Sequence, residues 1–409
     1  MAVAPAVAFW IAIAAISGCA TVSPRTPGPP KSDGDLAGWQ ALAEGRDADA
    51  ARVFAARLAG APFGSFSPIA LFGRATLAYE RGASVAALDD YAALLTAMPA
   101  LRDGALVREL APVAAARVLA LYDEVGFAVR ARIGARLRPV ELSREPALPW
   151  LARIDLARLG DHIARQAGDA DALVRAATAD GCAGSMFEIG SLGPFPHLDL
   201  DRASTLGRVL PTGKWRALSV SGCHLDAPLS ADGRGEARVL RAAIEVGAGR
   251  YEIVVDFEGE ARLSVDGGAW VAHGQAGRYG PRLTATRVAL AAGRHEITLR
   301  TASKAGQTSL GFWVLPDDPG RAARFVDPRD RVATAGPAVV LTETAGAVPG
   351  ADGPGGRALA AYADAFVADR VGAIDAVAAA LERLDAWPRF ALGLALGGEI
   401  ARHDPTRPA

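Results

Sequence analysis

From Leu36 to about Asp180 apolar residues recur at helical spacing, in a stretch rich in Ala, Leu and Arg that lacks β-branched alternation, and this pattern predicts paired helices. Gly45, Ala50, Phe54 and Pro62 have the same spacings as Gly82, Ala87, Tyr91 and Pro99, each 37 positions further on. A glycine permits the turn between two helices, an alanine lets them approach, an aromatic fills the groove and a proline stops the second helix. Trp39 and Leu42 suit the first helix of one unit, Leu71 and Ala75 that of the next, and Trp150 to Thr178 reads as a further hairpin turning near Gly168. After Cys182 the period changes to two. Tyr251, Ile253, Val255 and Phe257 alternate with outward Glu252 and Asp256, and a strand over 260–265 runs into the turn Asp266-Gly267-Gly268 and on to 269–272. Strands over 282–290, 294–301 and 307–315 follow, and many short strands with glycine turns predict an antiparallel β-sandwich. Prolines and glycines from 317 to 356 predict a linker, after which a helical pattern returns with Gly372 and Pro388. The expected fold class is α+β and multidomain, with an N-terminal helical-repeat array over 36–180, a sandwich over 181–316, a linker over 317–356 and a C-terminal helical hairpin over 357–409. The chain stops where another repeat is due and shows no polar capping helix, which reads as truncation or as helices packing back on the N-terminal array.

The two ends of the chain differ in kind from this interior. Residues 1–18 carry no charged side chain and contain an apolar run over 9–16, the core of a signal peptide and too short to span a bilayer as a mature helix. The junction Ile16-Ser17-Gly18-Cys19 resembles the bacterial lipobox, which implies cleavage before Cys19 and lipid on its thiol. Acyl chains there contribute about 0.8 kcal/mol per buried CH₂, enough for a stable anchor. One departure is an n-region without Lys or Arg. Residues 19–35 hold Pro24, Pro27, Pro29, Pro30, Gly28 and Gly34 and read as a flexible tether. Ala20 in place of an aspartate implies, by analogy with envelope lipoproteins, the outer membrane of a Gram-negative bacterium, with the chain facing mainly the periplasm.

Two further resemblances rest on the interior motifs. The glycine, alanine, aromatic and proline spacings resemble the tetratricopeptide repeat, whose usual period is about 34 residues. Across about seventy residues, the strand entry Gly249-Arg250-Tyr251, the hairpin Leu263-Ser264-Val265-Asp266-Gly267 and the return Leu290 to His295 are similar to the core of protective-antigen-type sandwich domains, many of which bind glycans. Calcium-dependent members carry two adjacent aspartates upstream of the hairpin. Alignment on Asp266-Gly267 puts Glu258 and Gly259 there instead, so calcium-dependent sugar binding is not implied. The order of export signal, repeats and sandwich also resembles the front half of larger Gram-negative envelope proteins that add transglutaminase-like modules, and the sequence contains no such module.

Composition and charge narrow the chemistry. With 44 basic and 45 acidic residues the net charge is −1, so no global field favours nucleic acid. Lysines occur only at 31, 214 and 304, an arginine bias that reflects base composition. With Cys19 lipidated, Cys182 and Cys223 remain in a compartment where disulfides persist, and they are expected to pair, the alternative being two separate buried thiols. Closure of that loop stabilises a fold by roughly 4 kcal/mol in the chain-entropy model. HExxH, G-x-S-x-G and a phosphate loop are missing from the sequence, and Gly350 to Gly356 lacks the preceding strand a phosphate loop needs. His224, Asp226, His273 and His295 share the β region without metal-ligand spacing, and a thiol nucleophile at Cys182 or Cys223 beside His224 is incompatible with a disulfide. No catalytic residue, metal or cofactor is assigned. Trp313 reads as core or sheet-packing, as does Trp215, while Trp270 and Tyr279 flank a loop with His273 and Gln275 and form the candidate ligand surface. The expected function is an envelope-anchored scaffold that holds protein partners. The alternative is a glycan- or peptidoglycan-binding lipoprotein, with a thiol-dependent or transglutaminase-like enzyme third.

Overall fold

The computed structural model describes residues 33–59, 67–101, 104–145, 147–179, 181–182, 185–189, 200, 216–219, 223–225, 237–257, 259–273, 282–302, 310–318, 321, 323–329, 339–340, 379 and 393. The signal segment, Cys19, the tether, Pro62, Tyr279 and nearly all of the C-terminal helical stretch lie outside these residues. The chain is of the α+β class, with helices and antiparallel sheets. It divides into two units, one comprising Met1–Leu137, Gly350–Ala358 and Ile374–Ala409, the other Arg138–Pro349 and Leu359–Ala373. Helical periodicity groups everything to 180 together, whereas the division at 137/138 puts the later helices with the sheets. Among the described residues no helix is long and apolar enough to cross a membrane.

The first unit begins with α1 (Asp33–Ala43), α2 (Asp47–Ala59), α3 (Pro68–Glu80) and α4 (Ser84–Ala97), followed by a 3-10 turn, Met98–Ala100, and by α5 (Gly104–Tyr122) and α6 (Phe127–Leu137). The same cap ends α1 and α3. Gly45 and Gly82 have φ of 69° and 68°, and the next N–H reaches back five residues, Arg46 to Ala41 O at 2.8 Å and Ala83 to Ala78 O at 2.9 Å. A side chain at either glycine would strain this left-handed conformation. Ser67 caps α3 by accepting from Ala70 N, with Pro68 at the first helical position, where no N–H is needed. Pro99 lies in the 3-10 turn that ends α4.

An aromatic ladder fills this unit. Trp39 lies 5.6 Å from Phe54 and 5.9 Å from Phe72, and Phe72 lies 5.8 Å from Tyr91, centroid to centroid. All four rings are buried, as are Ala50 and Ala87. Gly38 on α1 and Gly73 on α3 form the cradle for Phe54, since a Cβ on either would overlap its ring. The Tyr91 hydroxyl lies 3.1 Å from Thr76 Oγ1, and burial raises its pKa well above the ordinary tyrosine range. Outside this core Arg74 grips Asp90 with a two-pronged fork, both contacts 2.7 Å, and Arg132 reaches Asp89 at 2.8 Å, tying α6 to α4.

The second unit contains α7 (Pro139–Leu142), α8 (Trp150–Ala167) and α9 (Ala170–Ala179), with Gly168 repeating the glycine cap between the last two. Its strands are β1 (Ser185–Ile189), β2 (Arg216–Ser219), β3 (His224–Leu225), β4 (Ala237–Val246), β5 (Gly249–Phe257), β6 (Glu260–Val265), β7 (Val271–His273), β8 (Arg282–Leu290), β9 (Gly293–Ala302), β10 (Leu310–Pro316), β11 (Arg324–Val326) and β12 (Val339–Val340). A seven-stranded sheet runs β2-β1-β4-β9-β6-β7 with β11 also on β4, and a five-stranded sheet runs β12-β8-β5-β10-β3. Tyr251, Ile253, Val255 and Phe257 of the second sheet share one core with Leu240, Ile244, Leu263, Ile297 and Leu299 of the first. Each such side chain contributes about 2 kcal/mol of burial. The stretch whose prolines predict a linker supplies β11 and β12, two very short strands of the kind that sheets tolerate beside proline.

The outward residues of β5 depart from simple alternation. Glu252 and Asp256 turn away from the core yet are buried, and so is Val254 between them. Glu252 pairs with Arg287 directly across the strand at 2.6 Å, and Asp256 receives Arg158 of α8 at 3.0 Å. The same helix sends Arg153 to Pro316 O at 3.1 Å and accepts the Cys223 N–H on Asp161 at 3.0 Å. Cys182 and Cys223 form the expected disulfide, with Cα atoms 4.9 Å apart. Both line the edge of β10, where Phe312 N donates to Cys223 O and Val314 N to Gly181 O. Gly181 is required there, because it has φ of 63° and a Cβ would meet Val314 O.

Gly73→Ala drives a methyl into the Phe54 ring and should lower the urea midpoint of the first unit by the equivalent of about 1–3 kcal/mol, with Phe54→Leu in the same chain recovering part of the loss. In the second unit, burial pushes the Asp155 carboxyl up from 3.8 to about 6, against the pull of Arg158. The folded chain therefore keeps a proton that the unfolded chain releases, and stability falls as pH rises between these two values. Asp155→Asn should be more stable than the parent at pH 7 by on the order of 2 kcal/mol and equal to it near pH 3.5, which thermal melts across pH will measure.

Candidate functional site

The hairpin between β6 and β7 carries the better-defined of the two expected ligand-surface residues. Asp266 and Gly267 have φ of 51° and 68°, and Gly268 N returns to Val265 O at 2.9 Å. This is the mirror-image turn that an Asp-Gly pair favours, because both central residues must take positive φ. Asp266 is held there by three contacts to β9: its N–H donates to Glu296 O at 2.8 Å, its Oδ1 accepts from Glu296 N at 2.8 Å, and its Oδ2 meets His295 Nδ1 at 2.6 Å. His295 is wholly buried, and its Nε2 faces Ala291 O at 2.9 Å. Both ring nitrogens thus face oxygen atoms.

The turn delivers Trp270 to the outer face of the seven-stranded sheet. Leu263 opposes Val271, so Trp270 lies on the side of Ser264 and Arg262, away from the core. Its ring is partly exposed, and the Arg300 guanidinium of β9 stacks against it with Cζ 4.0 Å from the ring centroid. Arg300 directly opposes Arg262 across β6 and β9. Arg262 approaches Glu260 at 3.9 Å and Arg241 approaches Glu296 at 3.0 Å. No carboxylate pairs with Arg300 among the described residues, and its Nε and Nη1 are shut off from solvent without a hydrogen-bond partner. Burial alone lowers its pKa from the ordinary guanidinium value.

The other sequence-level candidates scatter. His162 pairs with Gln166 on α8, and His295 is tied to Asp266. His197, His403 and Asp226 lie outside the described residues, as do the side chains of His224 and His273. Trp313 is fully buried, but opposite Val254 on the face of β10 that turns away from the shared core, and Trp215 lies outside the described residues. Among the described residues no three His, Cys, Asp or Glu side chains converge as a metal site would require. Pattern reading misses Arg300, because a charged residue at an outward strand position ordinarily meets water, and only cross-strand register puts an indole over it.

No protein-family model matches the sequence, and no curated protein matches it. Two solved structures overlap parts of the chain. One is TmCBM61 in complex with β-1,4-galactotriose, at 18% identity over 28% of this chain and 78% of that one, with a TM-score of 0.18. The other is the PA14 domain of the MpAFP antifreeze protein, at 11% identity over 35% of this chain and 90% of that one, with a TM-score of 0.23. Overlaps at these scores identify neither a ligand nor an activity.

The tie between Asp266 and His295 should be measurable. His295→Leu leaves the Asp266 carboxylate without its imidazole partner and should cost about 1–3 kcal/mol in urea unfolding. His295→Leu with Asp266→Asn removes the charge as well and should recover most of that loss.

Proposed function

We propose that the chain is a lipid-anchored protein of the Gram-negative envelope that holds protein partners, through tetratricopeptide-like helical hairpins and a protective-antigen-like β-sandwich. The observation that carries this reading is the first unit's construction. Two hairpins share one glycine cap, bury an alanine and an aromatic at equivalent positions, and join through a continuous aromatic ladder. Such stacked hairpins present extended surfaces and need no catalytic geometry. Phe127, at the start of α6, is 85% exposed and Val85, at the start of α4, is 45% exposed, and Ser84 and Glu124 bond at 2.8 Å between these two helix starts. Anchoring rests on Cys19, and no nucleic-acid or cofactor role is assigned.

A second reading, glycan or peptidoglycan binding, is favoured by one observation, the partly exposed indole of Trp270 on a firmly tied hairpin. An exposed indole can stack on the apolar face of a sugar ring.

A photo-crosslinking residue placed at Phe127 or at exposed Gln40 should give one discrete adduct, identifiable by mass spectrometry, in envelope fractions. The absence of any adduct at both positions counts against the scaffold. Labelled palmitate should enter the parent chain and not Cys19→Ala, and equal labelling removes the anchor.

A further inference from the structure

We propose that Arg300 and Trp270 form a binding site for a carboxylate-bearing sugar, in which the pyranose ring stacks on the indole and the carboxylate docks on the edge of the guanidinium. The inference deepens the glycan reading of Trp270 and rests on it for the sugar. The carboxylate rests on Arg300 alone.

Three observations converge. Arg300 is 3% exposed, and its Nε and Nη1 have no hydrogen-bond partner. Burying a guanidinium without a counter-charge opposes folding, and most structural arginines avoid it by pairing. On this same face Arg241 and Arg262 each approach a glutamate, whereas among the described residues Arg300 has only the ring of Trp270, at 4.0 Å. The indole covers the flat face of the guanidinium and leaves the in-plane N–H groups unmatched. Each of these N–H groups can donate to one oxygen of a carboxylate. Desolvation, which depresses the Arg300 pKa, also strengthens any charge pair formed there.

The indole favours a sugar over an acidic peptide. Trp270 is partly exposed while Arg300 beneath it is closed off, so an incoming ligand meets aromatic surface first. A pyranose presents C–H groups to that surface and carries its carboxylate at the ring's rim, within reach of the guanidinium below. A sugar stacked on the indole changes its surroundings, so binding changes the fluorescence of Trp270.

The test uses the purified full chain with an oligogalacturonate and with the same oligosaccharide after its carboxyls are reduced to alcohols. Calorimetry should detect the acidic form and bind the reduced form at least ten-fold more weakly. Arg300→Met should weaken binding of the acidic form at least ten-fold while the melting temperature stays level or rises, because an unpaired buried charge has been removed. Arg300→Lys keeps the charge without the planar N–H donors and should bind weakly as well. Trp270→Phe should abolish the fluorescence change. Equal binding of both oligosaccharides, or binding unmoved by Arg300→Met, overturns the carboxylate assignment and leaves the glycan reading standing. Binding of neither oligosaccharide overturns both. A hexaglutamate peptide that binds as tightly, with the same loss in Arg300→Met, overturns the sugar in favour of a protein ligand. A melting temperature that falls steeply in both Arg300 variants assigns Arg300 a purely structural part and also overturns the proposal.

Discussion

The second unit depends on how the outer edge of β10 is closed. An uncovered strand edge offers a row of unpaired N–H and C=O groups to any passing chain. Here Cys223 and Gly181 satisfy the N–H groups of Phe312 and Val314, and the disulfide joins the two short segments that do so. Asp161 holds the Cys223 N–H from α8 while its other oxygen accepts Arg165 at 2.7 Å. One buried carboxylate therefore links a helix, a disulfide and a sheet edge. Arg153 and Arg158 extend that link along the strand to Pro316 and across to Asp256.

This closure explains why outward positions in the sheets stop behaving as a solvent face. Once α8 brings its arginines to β5 and β10, Asp256 lies in a place where a charge needs a partner, and it has one. Asp155 shares Arg158 at 3.4 Å and holds its proton more firmly than an ordinary carboxyl. On the opposite sheet the same rule of pairing holds for Glu188, which takes Arg216 and Arg238. Arg300 breaks the rule, and that break gives the outer face of β9 its chemical interest.

Local signals were the legible ones. Gly45, Gly82 and Gly168 announce helix ends because only a left-handed residue allows the reach-back bond, and Asp266-Gly267 announces a hairpin for a related reason. The apolar alternation of Tyr251 to Phe257 correctly marks one face of a strand, since that face meets a core whatever lies opposite. Partners far apart in sequence were not legible. Helical period alone cannot say that Trp150–Ala167 joins the sheets, because the deciding residues, Arg153, Arg158 and Asp161, look like ordinary polar positions. For the site, Trp270 stands out by type, whereas Arg300 depends on a register between β6, β7 and β9 that no single segment encodes.

The cradle around Phe54 has a consequence for how this chain can change over generations. Gly38 and Gly73 belong to different helices, and neither has room for a methyl group while the phenyl ring stays in place. A gain of bulk at one glycine is tolerable only after the ring at 54 shrinks, and a shrunken ring leaves space that a larger residue at 38 or 73 can fill. The three positions therefore drift as a linked set, with the ring having to give way first, so the order of mutational steps is constrained as well as their outcome.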